Sequence, residues 1–226
     1  MKQIRKVLSR DAWSSVKIYE NGETLVLLEE NPKLKLGIIK KSYEQKFFVR
    51  KSIADKLYKV SESLPDNLSL VVIEGYRSVG DQQKSWLVAF NNIKKLFPKL
   101  SNEEIERKTS MVIARPNLLA NHNCGGAIDV TLADKNGNLL DMGSPYPSLD
   151  STKEERTRFP MFPKSFLFFS LLTKNQRKNR KILRKRMESQ GFVWYPGEWW
   201  HYCYGDRMWA VYTGRNSCIY GPASIE

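Results

Sequence analysis

The sequence predicts an α+β fold in which a small, mainly antiparallel sheet is flanked by helices. Two observations support this prediction. Segments with helical spacing of apolar residues come first, whereas short apolar strands gather in the second half of the chain. No strand–helix–strand rhythm repeats, and no glycine-rich phosphate loop is present, so a doubly wound nucleotide-binding fold is not indicated. A length of 226 residues without a low-complexity linker fits one domain spanning 1–226.

The first half of the chain predicts three helices around one buried strand. Apolar residues at helical spacing indicate a helix over residues 52–64. Residues 68–73 form a continuous apolar run, which is typical of a strand buried on both faces. A second helix is predicted over 81–97. Ser101 and Glu104 form a capping box for a third helix, which runs to about residue 114.

The second half predicts strands on both sides of one strongly basic helix. Residues 127–132 alternate like a half-buried strand, and residues 134–137 (DKNG) indicate a turn. Prolines and glycines in residues 143–163 indicate an irregular excursion. The basic helix is expected over about 163–190, and the aromatic-rich residues 192–212 predict two or three short antiparallel strands.

The net charge of +13 favours acidic partners but says little about the fold. The densest basic run, residues 174–187, also carries Ile182, Leu183 and Met187, which fit the packed stripe of an amphipathic helix. We favour a solvated helix face over a nucleic-acid site, because no aromatic platform lies among these charges. No apolar run is long enough for a membrane span or a signal peptide, so a cytoplasmic location is expected.

Three cysteines do not indicate a disulfide framework. Cys124 and Cys203 lie near the two histidines of the chain, so additional thiolate ligands are one interpretation. We favour reduced, partly buried thiols for these two and Cys218, because the neighbouring imidazole and carboxylate groups suffice for a catalytic metal site.

Both histidines lie in patterns typical of a metal site. His122 and Asp129 are separated by small residues that let the chain fold back, so both side chains can reach one ion. His201 follows Glu198 by three positions. Because a proline–glycine pair directly precedes Glu198, we expect this residue at a bend that curves over the metal. Taken singly, each of these residues also has an ordinary structural explanation.

Together, these residues predict a hydrolytic zinc centre. His122, Asp129 and His201 would leave an open position for water on one zinc ion per chain. Glu198 would accept a proton from that water and pass it to the leaving amine. Arg77, at the end of the predicted buried strand, is the candidate for stabilising the oxyanion.

These motifs resemble the zinc D-Ala-D-Ala dipeptidases, a branch of a wider group of D,D-carboxypeptidases and wall endopeptidases. The wider signature reads here as residues 120–129 (ANHNCGGAID), followed far downstream by residues 198–201 (EWWH). The dipeptidase branch is indicated by residues 75–77 (GYR), residues 142–144 (MGS) and residues 184–192 leading into the second motif. The landmarks lie in a core of about 68–212, whereas residues 1–50 match poorly.

The resemblance implies a bacterial, cytoplasmic enzyme that hydrolyses D-Ala-D-Ala, with the same ligand and catalytic residues. Its substrate would be a small D-amino-acid dipeptide or a peptidoglycan-derived peptide; neither a nucleic-acid partner nor a membrane span is expected. Candidate substrate-binding residues are Tyr76, Ser144, Asp150 and Trp200.

Two positions depart from the family pattern. Ala120 replaces the usual serine two residues before the first ligand, and Pro147 stands where family members carry an acidic residue. Asp150 is the candidate replacement for that acidic residue. A D,D-carboxypeptidase or endopeptidase acting on peptidoglycan fragments is therefore the alternative enzyme. The alternative without catalysis is a basic protein that binds nucleic acid or an anionic surface and holds a structural metal.

Overall fold

The computed structural model describes residues 10–110, 113–116, 121–146 and 172–225. The predicted irregular excursion lies largely outside these ranges, and so does the predicted start of the basic helix at residue 163. Within the described part of the chain, no helix combines the length and apolar composition needed to cross a membrane.

The described residues form nine strands, five α-helices and two 3-10 helices. The strands are β1 Lys17–Ile18, β2 Leu25–Leu27, β3 Leu34–Leu36, β4 Phe48–Arg50, β5 Leu68–Glu74, β6 Ala127–Asp134, β7 Val193–Trp194, β8 His201–Cys203 and β9 Ser217–Cys218. The helices are α1 Lys51–Glu62, α2 Val79–Leu96, α3 Asn102–Ser110, α4 Lys174–Ser189 and α5 Arg207–Tyr212. The 3-10 helices are Arg10–Trp13 and Asn121–Cys124.

The main sheet has five strands in the order β3-β5-β6-β8-β7. Only the β3–β5 pair is parallel, and the other three pairs are antiparallel. Two further pairs, β1 with β9 and β2 with β4, lie outside this sheet. This arrangement confirms the predicted α+β class with a mainly antiparallel sheet.

Strand β6 corrects the prediction of a half-buried strand. All residues from Ala127 to Ala133 are buried. Ile128, Val130 and Leu132 belong to the main hydrophobic core. The polar residues between them, Asp129 and Thr131, are 3% and 2% exposed. The alternating pattern predicts an exposed polar face, but this face is enclosed because it lines the candidate site.

Helix α4 has the amphipathic packing that the sequence predicts. Leu183 and Met187 are buried, and Ile182 packs against the same core. The helix begins at Lys174, later than residue 163, behind a capping box in which Thr173 and Gln176 satisfy each other's backbone N–H groups. The third predicted helix likewise begins with the expected capping box of Ser101 and Glu104.

The end of the chain confirms two short antiparallel strands within residues 192–212 but ends in a helix that the sequence did not predict. Strands β7 and β8 are present, but residues 207–212 form helix α5. The Asp206 carboxylate accepts a hydrogen bond from the Trp209 backbone N–H at 2.7 Å and caps this helix. Met208, Trp209 and Ala210 are buried in a second apolar cluster, which stabilises the helix despite its aromatic composition.

Candidate metal centre

Three adjacent strands carry acidic and imidazole side chains at matching positions. In the β5–β6 ladder Glu74 lies opposite Asp129, and in the β6–β8 ladder Asp129 lies opposite His201. Residues opposite one another in a ladder project to the same face of the sheet. Consequently His201 and Asp129, which are 72 positions apart in the sequence, approach within hydrogen-bond distance, with His201 Nδ1 2.9 Å from Asp129 Oδ1.

His122 reaches the same aspartate from the 3-10 turn that precedes β6. Its Nε2 atom lies 3.5 Å from Asp129 Oδ1, while its Nδ1 atom bonds with the Gly75 carbonyl oxygen at 2.8 Å. The His122 and His201 rings meet edge to face, with centroids 5.0 Å apart. Gly75 therefore fixes the His122 ring with Nε2 directed towards the carboxylate.

The turn that carries His122 is held from the opposite side by Arg50. The Arg50 Nε atom donates to the Cys124 carbonyl oxygen at 2.8 Å, and its backbone N–H donates to the Gly125 carbonyl at 3.4 Å. Gly125 has a φ of 70°, a conformation that favours glycine. The small residues between His122 and Asp129 therefore allow the predicted return of the chain.

His122, Asp129 and His201 form a group that can hold one metal ion. One donor atom from each residue lies within 4.8 Å of the other two, and all three residues are buried. Two imidazole nitrogens and one carboxylate oxygen are the donor set that catalytic zinc prefers, with a further position left for water or substrate. The donor types and their spacing therefore fit the expected zinc cofactor.

The electrostatics of the site favour a cation. Burial alone would raise the pKa of Asp129, but the two histidines outweigh this effect and hold that pKa well below its usual range. Burial lowers the pKa of His122 to about 4, so its imidazole is neutral at pH 7. For His201, the hydrogen bond to Asp129 and the charge of Asp129 overcome burial and raise the pKa. A divalent ion would take the place of that proton.

Glu198 lies at a bend beside the donor group, as the sequence predicts. Turn residues 196–197 precede it, and its backbone N–H donates to the Tyr195 carbonyl at 3.2 Å. Its Oε2 atom lies 3.8 Å from His201 Nδ1, and its side chain is 25% exposed. Glu198 is therefore a carboxylate that borders the donor group and remains accessible to solvent.

Arg77 is enclosed by polar partners near the centre. Its Nε atom donates to the Tyr43 hydroxyl at 2.9 Å, Nη1 donates to Gln82 Oε1 at 2.9 Å, and Nη2 donates to Glu74 Oε2 at 2.8 Å. A guanidinium has five N–H groups, so these bonds leave two hydrogens on the Nη atoms. Asp129 is among the groups that raise the pKa of Arg77 against the effect of burial.

The candidate substrate-binding residues lie in different surroundings. The Tyr76 hydroxyl donates to the Ala223 carbonyl at 2.8 Å, which places it against the C-terminal segment. The Ser144 hydroxyl lies 3.1 Å from Trp199 Nε1, which donates to it. Trp200 is buried and packs edge to face on Tyr146 and Trp199. Asp150, together with the departures Ala120 and Pro147, lies outside the described residues.

The cysteines are reduced, as expected, but they are buried more completely than the expected partial burial. Cys203 Sγ lies 3.3 Å from His201 Nε2, the ring nitrogen opposite the one facing Asp129. Cys124 Sγ donates to the Asn121 carbonyl at 2.9 Å. Neither sulfur therefore belongs to the three-donor group found among the described residues.

Sequence reasoning missed the residues that surround the ligands. The Tyr146 hydroxyl donates to Asp129 Oδ2 at 2.7 Å and so orients the carboxylate. Glu74, which is 3% exposed, accepts from the Tyr43 hydroxyl and pairs with Arg77 and Lys41. The position of Glu74 at the end of a continuous apolar strand was a usable signal, because a carboxylate there is buried and needs partners.

An α+β fold that brings two imidazoles, an aspartate and a neighbouring glutamate to one sheet defines the class of metal-dependent hydrolases. Within that class, the chain belongs to the D-Ala-D-Ala dipeptidase family, peptidase family M15, whose family model matches residues 34–219. This match confirms the expected family of zinc metallopeptidases.

Individual relatives match more locally. A D-alanyl-D-alanine dipeptidase of Synechocystis is 37% identical over 89 residues, which is 39% of this chain and 36% of the relative. The chain thus spans about a third of that relative's length. A D-alanyl-D-alanine dipeptidase of Enterococcus faecium is 28% identical over 163 residues, 66% of this chain and 72% of the relative. Among solved structures, a VanY D,D-pentapeptidase variant in complex with Zn(II) aligns at a TM-score of 0.38 and 16% identity, covering 91% of this chain and 96% of that one.

Proposed function

We propose that the protein hydrolyses the peptide bond of D-Ala-D-Ala or of a closely related small D-amino-acid peptide, using one zinc ion held by His122, Asp129 and His201. The observation that carries this proposal is the meeting of the three donors with the Glu198 carboxylate, whose Oε2 atom lies 3.8 Å from His201 Nδ1. Family membership and dipeptidase relatives support the substrate class.

The zinc ion, Glu198 and Arg77 have separate roles in the proposed reaction. Bound zinc would supply Lewis acidity towards water and towards the peptide carbonyl. Glu198 accepts the proton of the attacking water and returns it to the leaving amine, which its position at the accessible edge of the donor group allows. Arg77 would use its remaining N–H groups to stabilise the charge that develops on the carbonyl oxygen.

The surroundings of the ligands would keep the site dry and rigid. Tyr146 holds Asp129, and Trp200 packs against the Tyr146 ring with centroids 5.3 Å apart. Ser144 positions Trp199 through its hydroxyl. Exclusion of water strengthens each electrostatic contact in the site. We retain Tyr76, Ser144, Trp200 and Asp150 as proposed substrate-side residues.

The decisive experiment incubates the zinc-loaded protein with D-Ala-D-Ala and measures release of free D-alanine. The wild-type protein is expected to release it, and Glu198→Ala should remove most of the activity. The matched control is Glu62→Ala, an exposed glutamate on α1, which should behave as wild type. Equal release by the Glu198→Ala protein would exclude the proposed role of this residue.

A D,D-carboxypeptidase or endopeptidase acting on peptidoglycan fragments is the second candidate. The net charge of +13 and the basic surface of α4 favour an anionic polymer as substrate. A panel of the dipeptide, an N-acylated dipeptide and longer wall peptides separates the two candidates. Cleavage of the longer compounds without cleavage of the dipeptide would support the second candidate. A bacterial, cytoplasmic setting belongs to the leading proposal.

The alternative of a purely structural metal requires a fourth protein ligand. Cys203 contacts His201 Nε2, on the far side of the ring from the nitrogen that faces Asp129. The two ring nitrogens point in opposite directions, so an ion bound by His201 Nδ1 and Asp129 lies away from Cys203. This contact therefore favours an open site with three protein ligands.

A further inference from the structure

A buried lysine lies beside the metal centre and has no part in the mechanism above. Lys41 follows β3, and its side chain is only 8% exposed. Its ammonium pairs with the Glu74 carboxylate and lies over two aromatic rings, 5.6 Å from the centroid of Tyr43 and 5.3 Å from that of Tyr146. Lysines are rarely buried without full pairing, so this one needs an explanation.

Within the described part of the chain, the donors of Lys41 are incompletely satisfied. An ammonium has three N–H donors and no acceptor. Among the described residues its ionic partner is Glu74, and the buried Nζ atom makes no hydrogen bond there. The Glu74 carboxylate is itself shared, because it also accepts from Arg77 Nη2 at 2.8 Å and from the Tyr43 hydroxyl at 2.7 Å.

The charges around Lys41 do not balance. Among the described residues, the Lys41 amine and the Arg77 guanidinium share the Glu74 carboxylate. Burial and the neighbouring Arg77 lower the pKa of Lys41 to about 6, against the opposing effect of Asp129. Burial and Arg77 therefore outweigh the nearby carboxylates, and an additional anion would favour the charged form of Lys41.

The Tyr146 side chain connects Lys41 to the donor group. The Tyr146 ring separates it from Asp129: Lys41 Nζ lies over the ring face, and the hydroxyl at the ring edge donates to Asp129 Oδ2 at 2.7 Å. In a peptide that loses its last residue, the terminal carboxylate is one residue from the scissile carbonyl, about 3.6 Å at most. Lys41, which is separated from Asp129 by the Tyr146 ring, is therefore placed to bind that carboxylate.

We propose that Lys41 binds the C-terminal carboxylate of the peptide substrate and thereby makes a free carboxylate a requirement for cleavage. This inference rests on the proposed peptidase function. Lys41 would act as a specificity determinant, because it binds the end of the peptide and takes no part in proton transfer. An interior position in a longer chain offers an uncharged amide there, so an endopeptidase substrate would give the ammonium no anion beyond Glu74 among the described residues.

The test compares the hydrolysis of D-Ala-D-Ala with that of its C-terminal amide. We expect the wild-type protein to prefer the free acid by about 10- to 100-fold in kcat/KM, the range for a hydrogen bond to a charged group. In Lys41→Met, kcat/KM for the free acid should fall by about 10- to 100-fold, mainly through a higher KM. The kcat/KM for the amide should change by less than about twofold. Lys41→Arg keeps the charge and should retain a preference for the acid.

The matched control is Lys40→Met, which removes the same charge from the exposed neighbouring residue and should preserve the preference. A wild-type protein that cleaves acid and amide equally overturns the proposal without any variant. A Lys41→Met protein that loses both activities equally also overturns it, because that pattern reports a structural role. A wild-type protein that cleaves neither compound contradicts the peptidase function itself, and this inference with it.

Discussion

Tyr146 provides a direct test of how the metal centre is supported. Its hydroxyl donates to Asp129 Oδ2 at 2.7 Å, and its ring packs on Trp200 with centroids 5.3 Å apart. Tyr146→Phe removes the hydroxyl and keeps the ring. A hydrogen bond to a charged group contributes about 1.5–3 kcal/mol, which corresponds to a loss of about 10- to 100-fold in zinc affinity.

Zinc affinity is measured for this test by competition with a chelator at constant pH. The matched control is Tyr58→Phe, which removes a hydroxyl bonded to the Glu29 backbone, away from the donor group. That variant should lose about 1 kcal/mol of stability and bind zinc as the wild type does. Unchanged zinc affinity in Tyr146→Phe would show that the contact with Asp129 has no role in holding the ion.

Three further predictions concern catalysis, titration and packing. Glu198→Gln should lower kcat by about 10²- to 10⁴-fold while zinc content stays at the wild-type value, and loss of the zinc would show that Glu198 acts as a ligand. Burial raises the pKa of Asp206 to about 6, so its ionisation reduces stability as pH rises from about 4 to about 6. In urea unfolding, the stability of Asp206→Asn relative to wild type should therefore rise by about 2–3 kcal/mol over that window, and a constant difference would contradict the raised pKa. Leu183→Ala in the buried stripe of α4 should lower the free energy of unfolding by about 2–5 kcal/mol. Lys181→Ala on the exposed face of α4 should change it by less than about 0.5 kcal/mol. Equal effects of the two substitutions would contradict the orientation of the helix.

Local signals were sufficient to predict the elements that carry the ligands. The apolar run of β5 and the small residues before Asp129 gave the strand and the turn, and the proline–glycine pair gave the bend at Glu198. These features depend on neighbours in the chain, so their patterns are visible in the sequence. The short helix α5 had a signal as well, since Asp206 is a good N-cap residue, but its aromatic composition favoured a strand.

Contacts between distant segments were not predictable in the same way. Tyr146, Glu74 and Lys41 surround the ligands because three separate loops and strands pack together. No spacing rule links Lys41 to Tyr146 across more than a hundred positions. The two-residue strands β1 and β9 pair across the whole chain and leave no periodic pattern for the same reason. The grouping of the three candidate metal donors was therefore predictable, whereas the residues that contact them required the structure.

X-ray absorption spectroscopy of the zinc-loaded protein tests the central claim most directly. The account predicts one zinc per chain with only nitrogen and oxygen neighbours at about 2.0–2.2 Å, and loss of that zinc in His201→Ala. A sulfur neighbour at about 2.3 Å would place a cysteine on the ion, close the coordination sphere and contradict a catalytic site.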